Sequence, residues 1–447
     1  MVVLRLIKHI RDNIYLDIWV IFFFFLAFFI EPIIGLISGN GFIFNPLEQV
    51  FKGYVNIIKS PSILITDYVY VGGLGATFFN VASILLINLF LVKRLKIRMT
   101  GPVYAGLVMI CGFSFFGKNI FNTLPIYLGI FLFSIFKRIP FKSFIITILF
   151  STGISPIVSY CFFGFGFEYY KGIPLGIIVG VIVGFVLPAI SSHTIIFHEG
   201  YNLYNTGFAL GIISLVFYAV FKYCGLEVIL ASDYDYTTTN VFYLILPIMS
   251  FISIGVAFIN DYKVFNKYLA LMKTHGRLIS DYVHDFSKET VLFNFGVIGL
   301  LLSIIGIIFK IPMNGVVFGS CLSILGFAGF GMHIKNLLPV WVGCFISIYV
   351  GMLITGNYDL SISTIIAFIF ASGLAPVCGK FGIIFGLVAG VLHIIITPIM
   401  INMHGGFDLY NNGFSAGFTA MILCVVAEKI LKKEKKKDVS RRKSKDL

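Results

Sequence analysis

Charge is scarce in this chain. Asp, Glu, Lys and Arg make up 12% of its 447 residues, against 58% hydrophobic ones, and soluble globular domains carry about twice that charged share. Composition therefore excludes a soluble globule. Tryptophan is nearly missing, with two residues, whereas phenylalanine supplies 50. Cysteines Cys111, Cys161, Cys224, Cys321, Cys344, Cys378 and Cys424 form no C-x-x-C pair. An odd number of thiols in apolar runs argues against a disulfide framework or a metal cluster and reads as inert packing. Catalytic signatures are thin as well. His198-Glu199 is followed by Asn202 where a zinc-protease helix needs a second histidine, and no serine-hydrolase elbow is expected. Nothing in the chain has the look of a nucleic-acid module, and no metal or cofactor is expected.

What the chain does have is a second copy of itself. Asp67-Tyr68-Val69 returns as Asp281-Tyr282-Val283, Phe79-Asn80 as Phe293-Asn294, and Gly112-Phe113 as Gly326-Phe327, each 214 positions on (281 − 67). Thr152-Gly153-Ile154-Ser155-Pro156 recurs as Ser372-Gly373-Leu374-Ala375-Pro376, an offset of 220 (372 − 152). His198 to Phe208 recurs as His404 to Phe414, an offset of 206 (404 − 198). The changing offset predicts extra residues near 164–171 in the first half and near 356–361 in the second. A duplicated, strongly apolar chain is the mark of a membrane transporter made of two structural repeats.

A helix needs about 20 apolar residues to cross a hydrocarbon core about 30 Å thick. Fourteen segments qualify, at roughly 17–39, 73–93, 100–117, 121–136, 143–163, 172–196, 207–223, 240–260, 289–309, 314–331, 336–355, 361–378, 381–401 and 412–431. The first run is long and lacks a small-residue cleavage pattern before Asn40, so it reads as a retained helix and not a signal peptide. Lys and Arg in short loops stay on the cytoplasmic side. Arg5, Lys8 and Arg11 precede the first segment, Lys93, Arg94, Lys96 and Arg98 follow the second, and Lys137, Arg138 and Lys142 the fourth. Lys263, Lys267, Lys273 and Arg277 follow the eighth, and a basic tail the fourteenth. All of these fall on one side, while Glu227, Asp233, Asp235 and Asp359 follow odd-numbered segments. Seven segments per repeat is odd, so the two halves are expected upside down relative to each other. The stripped basic loops of the second half agree: Lys137 to Lys142 corresponds to Thr355-Gly356-Asn357-Tyr358-Asp359.

The expected architecture is an all-α polytopic membrane protein of two inverted-topology repeats, each of about seven membrane segments, some of them re-entrant or broken. Residues 1–229 form the first repeat, 230–431 the second, and 432–447 a basic disordered cytoplasmic tail. Both termini are then cytoplasmic, in a multi-pass protein of the cell membrane. Of the formal net charge of +13, the tail from Lys432 supplies nine Lys or Arg against three acids. Its expected role is to anchor topology against anionic lipid.

Four repeated motifs are candidates for chemistry. Thr66-Asp67-Tyr68-Val69 and Ser280-Asp281-Tyr282-Val283 read as helix N-caps. Gly112 to Pro125 and Gly326 to Pro339 bracket polar residues with glycines at the end of an apolar segment, as a discontinuous membrane helix does. Breaks are expected at Gly112, Gly117, Pro125, Gly326, Gly331 and Pro339, with Asn122 and Asn336 as solute ligands; an ordinary loop with Asn as a cap fits the same residues. Gly153-x-x-Pro156 and Gly373-x-x-Pro376 read as close-packing points or hinges. The most polar recurring stretch offers Asn202, Tyr204, Asn205, Asp408, Tyr410 and Asn411 as solute ligands. Asp408, His198 and His404 are its candidates for ion coupling or a proton relay. An Asn/Gly turn capping the last helix of each half is the plainer reading. Asn202 facing Asp408 breaks the symmetry, which a coupled carrier would use.

The doubled Leu-Tyr-Asn-x-Gly-Phe element, Leu203 to Phe208 and Leu409 to Phe414, resembles the bacterial polytopic membrane family catalogued as domain of unknown function 1576. That resemblance covers nearly the whole chain short of the tail and implies a polytopic membrane protein, with no substrate or catalytic residues. Tyr204-Asn205 and Tyr410-Asn411 before Gly-containing helices also bear a loose likeness to the inverted-repeat urea transporters. Three functions stay open. The preferred one is a carrier for small polar solutes, proton- or sodium-coupled, with its site at the repeat interface near the midplane, or in the same class a passive urea-transporter-like channel. A membrane-embedded enzyme is second, and a structural or lipid-interacting scaffold is third.

Overall fold

The computed structural model describes residues 12–37, 46–358 and 360–443, with side chains to Leu431. Arg5, Lys8, Arg11, Asp359 and the side chains of the basic tail lie outside the described residues. Helix is the only extended element among those described. Twelve helices are long and apolar enough to cross a membrane, and two more are apolar but short.

In chain order the first half comprises α1 (Leu16–Ile37), α2 (Leu74–Arg94), the short α3 (Gly101–Phe113), α4 (Ile120–Lys137), α5 (Phe141–Phe163), α6 (Tyr169–Phe197) and α7 (Asn205–Tyr223). The second comprises α8 (Thr239–Asn260), α9 (Lys288–Ile308), the short α10 (Gly315–Gly329), α11 (Ile334–Thr355), α12 (Ile362–Phe381), α13 (Ile383–His404) and α14 (Asn411–Lys443). These are the fourteen expected segments. The helix of α14 runs on through Lys443, where a disordered tail was expected, because Lys and Glu are good helix formers continuing an existing helix. Part of the extra length near 164–171 also went into helix: α6 has 29 residues and α13 has 22.

The halves repeat each other in packing. α1 lies on α2 as α8 lies on α9, and α4 lies on α6 as α11 lies on α13. Hydrogen bonds repeat too. The Asn80 amide donates to the Ser114 and Lys118 carbonyls at 2.8 Å each, and Asn294 donates to Ala328 at 3.1 Å and Met332 at 2.8 Å. Both asparagines sit inside apolar helices and satisfy the irregular chain that follows the short helices, which in hydrocarbon must find its partners within the protein.

α3 and α10 start at side-chain caps, Thr100 accepting from the Val103 amide and Asn314 from the Val317 amide. With 13 residues in α3 and a rise of 1.5 Å each, a helix is about 20 Å long, short of the hydrocarbon thickness. The two pack backbone to backbone. A β-carbon on Gly101, at the start of α3, would overlap the carbonyl of Gly329 at the end of α10, and one on Gly112 would overlap the carbonyl of Gly319. Start meets end, so these two equivalent helices run antiparallel. The Asp67 carboxylate caps the Val69 amide at 2.9 Å and crosses to the other half, accepting from Asp235 N at 3.0 Å, and Asp281 likewise caps Val283 and accepts from Gly101 N at 2.8 Å.

Candidate functional site

The turn after each short helix is built on a positive-φ glycine, Gly117 at 79° and Gly331 at 77°. Asn122 holds the first turn together: its Oδ1 accepts from Asn119 N at 2.9 Å, and its Nδ2 donates to the Gly117 carbonyl at 3.0 Å and to Ser159 Oγ at 2.8 Å. Asn336 does the same with His333 N at 2.9 Å and the Gly331 carbonyl at 2.9 Å. The capping role fits both residues, whose polar groups are engaged in the turn and not presented to a solute. Breaks occur at Gly117 and Gly331, with α10 tightening to a 3₁₀ turn from Gly326. Gly112 is helical, and Pro125 and Pro339 lie inside α4 and α11; a proline this near a helix start frees few carbonyls. Those three positions are corrections to the expected breaks.

The Gly-x-x-Pro motifs are true interruptions. α5 and α12 each narrow to a 3₁₀ turn at Thr152–Ile154 and Ala371–Leu374 before the proline resumes an α-helix. Into each gap comes the polar motif of the other half. Leu203 N donates to the Gly373 carbonyl at 3.0 Å, and Leu409 N donates to the Gly153 carbonyl at 2.9 Å. The aromatic ring that follows fills the notch: Tyr204 lies over Gly373 and against Phe327 at 4.7 Å between ring centroids, Tyr410 over Gly153 and against Phe113 at 4.8 Å. A side chain at either glycine would collide with the tyrosine. Motif three and motif four are therefore one site, made twice.

Within this frame the halves differ in charge and partners. The Tyr204 hydroxyl bonds Ser372 Oγ at 2.7 Å, but the equivalent Thr152 hydroxyl accepts from Lys118 Nζ, and the Tyr410 hydroxyl has no partner among the described residues. Lys118 is fully buried, lies over the Phe113 ring at 5.1 Å, and is replaced by Met332 in the second half. Asn202 accepts from Tyr204 N through Oδ1 and donates from Nδ2 to the Gly413 carbonyl, both at 3.0 Å. Asp408 keeps the first bond, from Tyr410 N at 2.9 Å, while its buried Oδ2 has no partner among the described residues. Lys118→Met gives a direct check on the buried cation. An amine without a carboxylate partner is costly to bury, so the variant should melt higher, by about 1–3 kcal/mol in chemical unfolding. A loss of stability would mean that the bond to Thr152 outweighs desolvation.

The two expected histidines are matched to the two expected asparagines. His198 Nε2 lies 2.9 Å from Asn205 Oδ1 and His404 Nε2 lies 2.8 Å from Asn411 Oδ1. Asn205 is closed off further, since its Nδ2 donates to the Ser191 carbonyl at 3.0 Å and its Oδ1 also accepts from Thr194 Oγ1 at 2.9 Å. Asn411, the more buried of the two, makes no such further side-chain bonds among the described residues. It lines a cavity of about 340 Å³ between α12, α13, the start of α14 and the Leu64–Ile65 connection. Of the expected ligands only Asn411 reaches this cavity; Asn122, Asn336, Asn202, Tyr204, Asn205, Asp408 and Tyr410 do not line it.

A network missed in the sequence stands behind the cavity. His393, buried in the middle of α13, lies 3.2 Å from Asn412 Oδ1 and 3.4 Å from Ser415 Oγ, and Thr397 Oγ1 is 2.8 Å from that same Ser415 oxygen. Counterparts in the first half are Leu187, Thr206 and Ala209. The available signal was a lone histidine in an apolar run that its repeat partner lacks. Gly413-Phe414-Ser415-Ala416-Gly417 does match G-x-S-x-G, contrary to the expectation that no elbow occurs. It lies within α14 and not at a strand-to-helix turn, its glycines pack on Tyr204 and Phe208, and Ser415 is fully buried.

Fold and seam together define an all-α, multi-pass membrane protein. The chain matches the family described as Protein of unknown function (DUF1576) over residues 47–223 and 260–429, one stretch in each half, and it belongs to that family. No curated protein and no solved structure matches it.

Proposed function

We propose that this protein is a carrier for small polar solutes, built from two halves inverted across the membrane, with its path along the seam where the polar motifs meet. The observation that carries this reading is the reciprocal insertion, Leu203 on Gly373 and Leu409 on Gly153. Each half thereby holds the other's broken helix, as two linked gates around one path would. A one-sided active site has no need of the matched pair, so the carrier reading stands ahead of the enzyme.

Antiparallel packing of α3 and α10 supports inversion: equivalent helices related by an axis perpendicular to themselves lie upside down if they follow the membrane normal. Their shortness supports a re-entrant course. Contacts between connections agree. The loop after α6 meets the one after α8, Leu278 N donating to the Gly200 carbonyl at 3.0 Å, and the loop after α13 meets the one after α1, Leu64 N donating to the Gly406 carbonyl at 2.9 Å. Even meets even and odd meets odd, as two aqueous faces require. The basic residues follow even segments, so that face would be cytoplasmic and hold both termini, with the tail against anionic lipid. Asn411 lining a cavity while Asn205 is bonded to Ser191 and Thr194 sets the two halves apart, as the two gates of a carrier differ in any one state.

Single-cysteine variants at Asn205 and Asn411 test the geometry. A membrane-impermeant maleimide should reach them from opposite compartments, and labelling of both from the same side would overturn the inverted carrier.

A further inference from the structure

The cavity at Asn411 has a definite chemistry. Its walls are apolar, with Leu64, Ile65, Ile366, Ile394 and Ile401 among them, and Ser361 and Ser363 stand exposed at its edge. Asn411 and Asn412 line it while remaining 6% and 4% exposed. The oxygen of each amide faces an imidazole, His404 for Asn411 and His393 for Asn412. Which way the amides point follows from the first half. There Asn205 Nδ2 must donate to the Ser191 carbonyl, which leaves its oxygen to accept from His198 Nε2. The same pairing at His404 turns Asn411 Nδ2 the other way. Neither Asn411 Nδ2 nor Asn412 Nδ2 bonds any described residue, and both belong to residues lining the cavity. Amide hydrogens that the protein leaves without an acceptor are free to donate, so a ligand with acceptor oxygens gains from meeting them.

Among the described residues no charged side chain lines the cavity, and an ion taken out of water needs a compensating charge. A cavity of about 340 Å³ is near the lower end of ligand sites. We propose that the Asn411–Asn412 cavity binds a small uncharged solute with a carbonyl-type oxygen on a short aliphatic body, an aliphatic amide being the simplest member. The inference rests on the carrier reading for its purpose, since it makes this cavity the solute's waiting place at one of the two gates. His393, Asn412 and Ser415, found only in the second half, then serve to hold the second amide in its orientation.

An isosteric set decides it. Isobutyramide, isobutyrate and the isobutyramidinium ion share one planar-headed shape and, near neutral pH, carry no charge, a negative and a positive one. Added to the purified full-length protein in detergent, isobutyramide should raise the melting temperature saturably and the two ions should not. Asn411→Leu should weaken its binding at least about tenfold. In a Ser363→Cys variant, at an exposed position, the amide should slow maleimide labelling. Equal shifts from either ion, full binding by Asn411→Leu, or no shift and no protection by isobutyramide would each overturn the assignment. Binding is read without a membrane gradient, so intact binding with no vesicle uptake counts against the carrier alone, and uptake of other solutes without amide binding counts against this site alone.

Discussion

Asp408→Asn is expected to abolish gradient-driven solute accumulation while the protein still folds. The position tolerates an amide, because Asn202 occupies the equivalent place and accepts the equivalent bond, from Tyr204 N at 3.0 Å against Tyr410 N at 2.9 Å for Asp408. The difference lies in the second atom. Asn202 Nδ2 donates to the Gly413 carbonyl, and the repeat partner of Gly413 is Gly207. A carboxylate can only accept, and its Oδ2 is buried without a donor among the described residues. Such a group must carry a proton of its own or meet a cation, which is the chemistry a coupled carrier uses. An amide there would donate where the carboxylate cannot, as Asn202 does, and could neither exchange a proton nor meet the coupling ion of the proposed carrier. Uptake into proteoliposomes under imposed proton or sodium gradients reads the effect. Accumulation in the variant that still follows either gradient would remove Asp408 from the coupling role.

Much of the architecture could be read from the residues because the information was local or periodic. Apolar runs mark helices one at a time, and a constant offset of 214 marks equivalence without any contact being known. The site was harder. Asn122 and Asn336 are polar in polar-looking motifs, but their function depends on a carbonyl five residues back, at Gly117 and Gly331, which makes them caps. Gly153 and Tyr410 lie far apart in sequence and nothing between them signals that they touch; only the missing side chain at Gly153 hints that something needs the space. Prolines misled at 125 and 339, where the helix absorbs them, and informed at 156 and 376, where a glycine three residues earlier lets the turn tighten. His393 could have been found by comparing the halves residue by residue for polar groups that only one of them keeps.

That comparison also bears on mechanism. The duplicated scaffold is nearly symmetric in its backbone bonds, while its chemistry is not: Lys118 faces Met332, Asp408 faces Asn202, and His393 faces Leu187. In the carrier proposed above, the symmetric bonds would supply two related gates, and the asymmetric side chains would let a solute and an ion distinguish them. In the state described, the second-half amide Asn411 lines a cavity and the first-half amide Asn205 is bonded to Ser191 and Thr194. A carrier that exchanges these two conditions would present its site to alternate faces.

Gly112→Ala should be the most damaging small substitution in the scaffold. Its β-carbon would overlap both the Gly319 carbonyl and Ser323 Oγ and come within 2.5 Å of Ser323 N. Two of those three atoms are backbone of α10, so no rotamer change relieves the clash, and α3 and α10 must separate. Membrane helices associate largely through such close contact between small residues, since lipid is as apolar as their side chains. Separation also disturbs Phe113 and the Tyr410 ring packed on it at 4.8 Å, carrying the damage into the seam. The expected loss is about 3 kcal/mol or more, at or above the upper range for overpacking a core. Gly255→Ala in α8 and Gly351→Ala in α11 are the controls, because a β-carbon there meets nothing within 4 Å; each should gain about 0.5–1 kcal/mol from helix propensity alone. Unfolding in mixed micelles separates the two outcomes. If Gly112→Ala unfolds no more readily than the controls, then α3 and α10 do not meet backbone to backbone, and the antiparallel pairing that supports the inverted halves is lost with it.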